Sequence, residues 1–140
     1  MDNIHKVWGE RRRIHLDKKS EIDLLYLNKN TFCSTHNHFE KVNKFVVVSG
    51  KVKIETEYGS KILEKNDSWV VEPPLKHRFF ALEDSVMIEM AYTVASVEGD
   101  SLYYPDIDPK DINRESQGGR IIDGKEMTLD EMREKGLLDL

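Results

Sequence analysis

Three histidines provide the clearest chemical signal in this sequence. His36 and His38 are separated by one residue, and His77 lies further along the chain, after two consecutive prolines. Side chains two positions apart on a β-strand project from the same face, so a strand here would point His36 and His38 the same way. Neutral imidazoles bind divalent transition metals, and three of them leave coordination positions open for water or substrate. The pattern predicts a metal site at His36, His38 and His77.

The segments around these histidines have the patterns of short β-strands. Over residues 51–57, Val52, Ile54 and Thr56 alternate with charged side chains, which is typical of a strand with one buried face. About eight such segments, separated by turns, follow one another between residues 21 and 94. Strands at this spacing predict an antiparallel sandwich or barrel. We expect its interior to gather the histidines, because inward side chains from several strands converge there.

The last third of the sequence has a different pattern. Residues 98–111 are acidic and contain two prolines, which predicts an excursion over the surface. Thr128 and Glu131 form a capping-box pattern for a short helix that we expect to run to about Lys135 and to stop at Gly136. We therefore predict one domain over residues 1–140, with a barrel core at about residues 21–94 and an extension over residues 95–140.

Composition argues against several classes of function. The chain carries 21 Lys and Arg against 26 Asp and Glu, and this net charge of −5 argues against a nucleic-acid partner. Cys33, the single cysteine, fits a reducing compartment, and we expect it to be buried and to point away from the histidines. There is no apolar run long enough to span a membrane and no signal-peptide pattern at residues 1–6. We therefore expect a cytoplasmic protein without a membrane partner.

The histidine segments resemble the two sequence motifs of the cupin superfamily. His36, His38 and Gly50 match the first motif, and His77 matches the second. Residues 6–10 and 45–50 are similar to segments of the cupin modules of mannose-6-phosphate isomerases. The resemblance implies an all-β fold, the jelly-roll barrel or double-stranded β-helix of cupins, here with a short C-terminal helix. It also implies a small-molecule ligand inside the barrel and a homodimer.

Three asparagines stand where the cupin motifs have other residues. Asn30 and Asn66 replace the leading glycines, and asparagine also tolerates the positive φ that such turns require. Asn43 replaces the glutamate that resembling proteins use as a metal ligand. We expect a divalent ion such as Zn, Fe, Mn or Ni on the three histidines, with Asn43 as a candidate fourth ligand. Some cupin-like sugar ketoisomerases carry an amide here and use histidine as acid and base instead, so a site without metal is the alternative.

Two further sets of residues are candidates for the site. Glu40 and Glu89 are candidate proton-transfer groups near the motifs. A substrate pocket is predicted from aromatic residues and one arginine, for which the alternatives are barrel core and ordinary surface: Phe45, Phe79, Tyr26, Tyr92 and Arg78.

Three functions are consistent with these residues. The first is a metal-dependent isomerase or epimerase acting on a sugar or another polar carbonyl compound. The second is a cupin-type iron dioxygenase, and the third is a small-molecule-binding module without catalysis. The fold cannot choose among them, because one barrel supports many chemistries.

Overall fold

The computed structural model describes residues 3–17, 19–38, 41–93 and 113–138. Within these residues the chain forms fourteen strands and one helix. In chain order they are β1 (Asn3–Lys6), β2 (Gly9–Leu16), β3 (Ser20–Leu27), β4 (Thr31–Phe32), β5 (His36–Asn37), β6 (Lys41–Ser49), β7 (Val52–Thr56), β8 (Gly59–Leu63), β9 (Ser68–Val71), β10 (His77–Ala81), β11 (Ser85–Thr93), β12 (Asn113–Arg114), β13 (Gly119–Ile122), β14 (Lys125–Thr128) and α1 (Leu129–Glu134).

The strands form two antiparallel sheets. The first sheet has the order β1-β2-β3-β11-β6-β9. In the second, β10 is central: β7 and then β8 lie on one side of it, and β4 and β5 lie on the other. Strand β13 pairs with β4, β12 pairs with β5, and β14 closes the edge beside β13. This arrangement confirms the predicted jelly-roll fold.

The apolar core lies between the two sheets and draws on both. On β3 every second residue is buried, as the pleat of a strand requires. The predicted alternation over residues 51–57 is confirmed, because Val52 and Ile54 are fully buried. The core cluster comprises Trp8, Leu25, Leu27, Cys33, Phe45, Val47, Val52, Ile54, Leu63, Val71, Phe79, Ala81 and Met87.

Local backbone signals in the sequence are also confirmed. Asn30 and Asn66 have φ angles of 64° and 72°, so both take the left-handed conformation expected of them. Thr128 caps α1 through the backbone N–H of Glu131, and the glutamate side chain reaches back to the cap. Gly136 follows the helix with a φ of 68°.

The sheets extend beyond the predicted core of residues 21–94. Strands β1 and β2 precede that range, and β12, β13 and β14 follow it. The consecutive glycines at residues 118–119 resemble a turn in sequence, but Gly119 begins β13, where a Cβ would collide with the carbonyl of Met127 on β14. Glycine here permits close strand packing, which sequence alone does not distinguish from a turn.

The acidic excursion predicted at residues 98–111 lies outside the described residues. Among the residues that are described, no helix has the length and apolar composition needed to span a bilayer. The homodimer stays a prediction.

Candidate metal centre

Strand pairing brings the three predicted histidines together. His77 on β10 lies directly opposite His36 on β5, and residues directly opposite in an antiparallel ladder share one face of the sheet. Their ring centroids are 4.6 Å apart, and the ring of His38 lies 5.1 Å from that of His36 and 5.8 Å from that of His77. Each histidine offers a ring nitrogen, and these three atoms lie within 4.8 Å of one another. The sequence prediction of one histidine cluster is confirmed.

Backbone carbonyls fix which nitrogen of two histidines faces the cluster. Nδ1 of His36 lies 2.8 Å from the carbonyl oxygen of Ser34, and Nδ1 of His77 lies 3.0 Å from that of Leu75. A carbonyl oxygen only accepts, so each Nδ1 carries the hydrogen and each Nε2 keeps its lone pair. Metal-binding histidines are held in this way, since the outer hydrogen bond sets the tautomer and the ring orientation.

Asn43 lies beside the histidine cluster. This position was expected, because Asn43 stands where the cupin motif has a metal-binding glutamate. It is 2% exposed, and its Nδ2 donates to Nε2 of His77 at 3.4 Å. Its Oδ1 is also buried and has no hydrogen-bond partner in the described structure. Turning the amide about its Cβ–Cγ bond would bring that unsatisfied oxygen to the histidines, where a cation would satisfy it. Three imidazoles and one amide oxygen therefore fit a divalent metal.

Burial keeps His36 and His77 uncharged. The pKa of His36 is lowered well below its usual value, first by burial and then by its neighbours His77 and His38. Burial also lowers the pKa of His77, against the opposing effect of its hydrogen bond to Leu75. Both rings are consequently neutral at pH 7, which is the form that binds metals.

The lowered pKa values predict that the metal-free protein loses folding stability as the pH falls. Unfolded histidine titrates near ~6.5. The folded protein resists protonation, so these two residues disfavour folding progressively as the pH falls below that value. In urea unfolding with chelator present, the stability of His77→Gln relative to the parent should improve between pH 7.5 and pH 5. The difference in unfolding free energy between variant and parent cancels the titration of the carboxylates that both proteins share. A difference that does not change with pH would contradict the prediction.

A cavity of about 400 Å³ opens beside the histidines. His36, His38 and Asn43 line one part of it, and Glu89 of β11 lines another. Its remaining lining residues are His5, Lys6, Val7, Trp8, Arg11, Leu25, Cys33, Ser34, Lys41, Phe79, Arg114, Ser116, Gln117, Gly118 and Leu129. His36, His38, Asn43 and a carboxylate thus line one cavity, as a small-molecule site requires, while His77 lies behind His36 and does not line it.

Glu89 is an unusual carboxylate because of its surroundings. Burial raises its pKa to about 7, with Lys41 opposing and two further buried acids, Asp23 and Glu21, reinforcing the shift. Lys41 Nζ and Arg13 lie 3.5 Å and 3.2 Å from the carboxylate of Glu21, which partly neutralises this group of acids. Glu89 therefore takes up and releases a proton near neutral pH.

The other predicted site residues divide between the interior and the outside. Phe79 lines the cavity with its ring edge-on to Trp8, and Phe45 packs 6.0 Å from the ring of His77. Glu40 lies outside the described residues.

Tyr26, Tyr92 and Arg78 are not in the pocket where the sequence placed them. Tyr26 and Arg78 lie on the outward faces of their strands, because the neighbouring positions in the pleat are buried, and Tyr92 does not line the cavity. Tyr26 lies under the guanidinium of Arg12, and Tyr92 is 39% exposed. Arg78 pairs with Glu55 and Glu126 and stacks on Phe80.

Cys33 also differs from its expected position. The sequence placed it away from the histidines, but it lines the cavity. The strand alternation counted back from His36 does not reach it, because β4 ends at Phe32 and β5 begins at His36. Burial raises the pKa of its thiol to about 12, and its sulfur accepts a hydrogen bond from the backbone of Phe79 at 3.2 Å. The thiol of Cys33 is therefore protonated and unreactive, and it serves only to line the cavity.

Comparison with known families decides the identity of this fold and site. Residues 1–103 match the family model described as mannose-6-phosphate isomerase C-terminal. The chain belongs to that family and is a cupin. A search of the curated proteins finds no significant match.

Solved structures agree with the cupin assignment. KdgF from Halomonas sp. is 20% identical with a TM-score of 0.57, over 62% of this cupin and 80% of that chain. A RmlC-like cupin from Shewanella frigidimarina is 18% identical with a TM-score of 0.55, over 64% and 78% of the two chains. Pac13, described as a nucleoside dehydratase, is 10% identical with a TM-score of 0.63, over 81% and 82%. At these identities the likeness establishes the fold.

Asn43 allows a direct test of the donor set of this cupin. We expect Asn43→Glu to raise the affinity for Mn²⁺ by roughly tenfold, the lower end of the changes seen around metal sites, because a carboxylate suits this harder ion. Without metal the same variant should be less stable than the parent, since it buries a charge. Calorimetric titration measures the Mn²⁺ affinities, and urea unfolding with chelator present measures the stabilities. Asn43→Gln is the neutral control of matching length. Equal Mn²⁺ affinity in all three proteins would remove Asn43 from the coordination sphere.

Proposed function

We propose that this cupin is a metal-dependent enzyme that transfers a proton within a polar carbonyl compound, as in the isomerisation or epimerisation of a sugar. One observation carries the proposal: Glu89 lines the same cavity as His36 and His38, and its pKa is raised to about 7. A base with a pKa near the working pH is both deprotonated often enough and strong enough to move a proton.

The chain's residues would divide the work in the following way. His36, His38 and His77 would hold the ion, with the oxygen of Asn43 as a fourth donor. A bound divalent metal would polarise the carbonyl and so acidify the neighbouring C–H bond. In an isomerisation Glu89 would take that proton onto its carboxylate and return it to the former carbonyl carbon, while the hydroxyl proton passes from one substrate oxygen to the other. In an epimerisation the proton would return to the opposite face of the same carbon. Neither reaction needs an external oxidant or reductant.

The walls of the cavity support proton transfer. Trp8, Leu25 and Phe79 give it an apolar side opposite the polar groups and restrict water near the carboxylate. Restricted water keeps the pKa of Glu89 high, so its carboxylate is basic enough to accept a proton near pH 7.

A second candidate is an iron-dependent dioxygenase. The observation that favours it is the uncharged donor set of three imidazoles and an amide, because imidazole suits Fe²⁺ as well as Zn²⁺. It gives no role to the raised pKa of Glu89, so we rank it second.

Deuterium exchange separates these functions. The purified protein would be loaded with Zn²⁺, Mn²⁺ or Fe²⁺ and incubated in D₂O with a panel of aldoses, ketoses, sugar acids and sugar phosphates. We expect NMR to show deuterium entering the carbon next to a carbonyl, and chelator to stop the exchange. Oxygen consumption with Fe²⁺ and no exchange would favour the dioxygenase. Ligand binding with neither reaction would overturn both proposals and leave a binding module.

A further inference from the structure

Two acidic residues lie opposite each other in the first sheet, next to the cavity. Asp23 on β3 pairs directly with Glu89 on β11, so both side chains project from the same face of the sheet. Directly opposed residues have their β-carbons about 4.5–5.5 Å apart, which lets two carboxyl groups share a hydrogen bond. Glu89 lines the cavity, whereas Asp23 is fully buried and does not line it. Any effect of Asp23 on a ligand must therefore act through Glu89.

The carboxylate of Asp23 lacks the hydrogen bonds that a buried charge requires. Its exposure is 0%, and neither of its oxygens has a hydrogen-bond partner in the described structure. Arg13 Nε lies 3.7 Å from Oδ1 of Asp23, and the same guanidinium donates to Glu21 at 3.2 Å. Lys41 Nζ also approaches Glu21, at 3.5 Å. Glu21 thus receives the closest contacts of these cations, and Asp23 needs another way to satisfy its oxygens.

A proton shared with Glu89 would satisfy them. Burial disfavours an ionised carboxylate, and a second carboxylate alongside disfavours it further. The pKa of Asp23 is raised to about 6, first by burial and then by Glu21, against the opposing effect of nearby cations. Asp23 in turn contributes to the raised pKa of Glu89. The two acids therefore titrate in the same pH range, and neither titrates independently of the other.

The other charged groups around Glu89 single out Asp23 as its acidic neighbour. On its opposite side Glu89 pairs with Phe45 of β6, which brings no charge. Glu21 pairs with Ala91 rather than with Glu89. The remaining groups are cations of the first sheet and titratable or charged residues that line the cavity: Arg11, Arg13, Lys41, His5, Lys6, Cys33, His36, His38 and Arg114. Among the described residues that line the cavity, Glu89 is the one acid.

We propose that Asp23 and Glu89 hold a single proton between them near neutral pH, and that Asp23 is a positioning residue that acts on the base through this proton. With the proton on Asp23, Glu89 is ionised toward the cavity and can accept a proton from a ligand. With the proton on Glu89, the ionised Asp23 opposes its release, which makes Glu89 more basic than burial alone would. That Glu89 is the base of a reaction rests on the proposed function, whereas the shared proton does not.

NMR of ¹³C-labelled carboxyl groups tests the shared proton without any assay of activity. Protein labelled at Asp Cγ and Glu Cδ would be titrated from pH 4 to pH 9, with Zn²⁺ and with chelator. Asp23→Asn and Glu89→Gln assign the two signals. In the parent we expect each signal to report both steps of a coupled titration. In Asp23→Asn the Glu89 signal should show one step, at least about one pH unit below the upper step of the parent.

Asp123→Asn is the matched control, because Asp123 is exposed between β13 and β14 and asparagine also accepts its φ of 52°. This variant should leave the titration of Glu89 unchanged, and circular dichroism checks that each variant is folded. Two independent single-step titrations in the parent would overturn the proposal, whether or not Asp23→Asn folds. An unchanged Glu89 midpoint in folded Asp23→Asn would also overturn it.

Activity separates this proposal from the proposed function. If the protein moves a proton within a carbonyl compound, the acidic limb of the pH profile of kcat should shift to lower pH in Asp23→Asn. KM should stay at the parental value, because Asp23 does not reach the ligand. An unshifted profile would overturn the positioning role. Coupled titration in a protein that exchanges no deuterium would support the shared proton and overturn the proposed function.

Discussion

Replacing His77 with alanine should remove stable metal binding from this protein. His77 is 3% exposed and lies between His36 and Asn43, so its loss deletes a ligand and separates the other donors. The drop in affinity should exceed the ~10–100-fold cost of losing an outer partner of a metal ligand. Metal content by plasma emission spectrometry and affinity by chelator competition measure the effect. His36→Ala and His38→Ala should behave alike.

Controls keep this result interpretable. His15→Ala removes a histidine that is exposed on β2 and bonded to Asp17, so it should leave metal content unchanged. Circular dichroism should show a folded β protein in every variant, since the apolar core between the sheets does not depend on the histidines. Full metal occupancy in all three cluster variants would place the metal elsewhere.

Replacing Glu89 with glutamine should separate metal binding from proton transfer. We expect turnover to fall by roughly 10²–10⁴-fold, the usual contribution of a general base, while metal content stays at the parental level. The rise in activity of the parent through pH 7 should also disappear, because the carboxylate that titrates there is gone. Steady-state rates measured from pH 5.5 to pH 8.5 test both statements.

The same substitution should stabilise the protein at alkaline pH. The pKa of Glu89 is raised from its usual value to about 7, so the folded state holds a proton that the unfolded state releases. This contribution to stability is fully present below the unfolded pKa of ~4.5 and is lost as the pH rises through 7. Glutamine carries no such charge, so Glu89→Gln should gain roughly 1–3 kcal/mol at pH 8.

Urea unfolding at pH 4.5 and pH 8 measures this gain, which should be confined to the higher pH. Glu83→Gln is the control, because Glu83 is exposed in the loop before β11 and should show no such difference. If Glu89→Gln kept the turnover of the parent, the general base would be another residue.

Sequence periodicity predicted strands between residues 21 and 94, but it predicted neither the strands outside that range nor the pairing. The alternation at Val52 and Ile54, the capping box at Thr128 and the two asparagine turns are local signals, and each is confirmed. The histidine cluster was also predictable, since His36 and His38 lie close in sequence and a motif resemblance supplied His77.

What the sequence missed depends on contacts between distant segments. Tyr26 and Tyr92 were assigned to the pocket by residue type, but the pleat points the ring of Tyr26 outward and Tyr92 does not line the cavity, and a shift of one residue is enough to reverse a face. Arg11 begins a run of three arginines, a pattern typical of a solvated surface, yet it lines the cavity. Arg114 reaches the site only because the short strand β12 pairs with β5, and a two-residue strand has no detectable period.

His77 is paired with His36, and His36 with Arg114, in adjacent strands of the second sheet. This pairing has a consequence for the order of folding. Its members lie far apart along the chain, so their strands meet only after long loops have closed, and such closures carry an entropic cost and slow folding. The hairpin of β7 and β8, by contrast, joins neighbouring segments and can form early. The histidine cluster therefore forms only once β5 has paired with β10, and a nascent or partly folded chain would display the histidines without yet possessing a site for an ion.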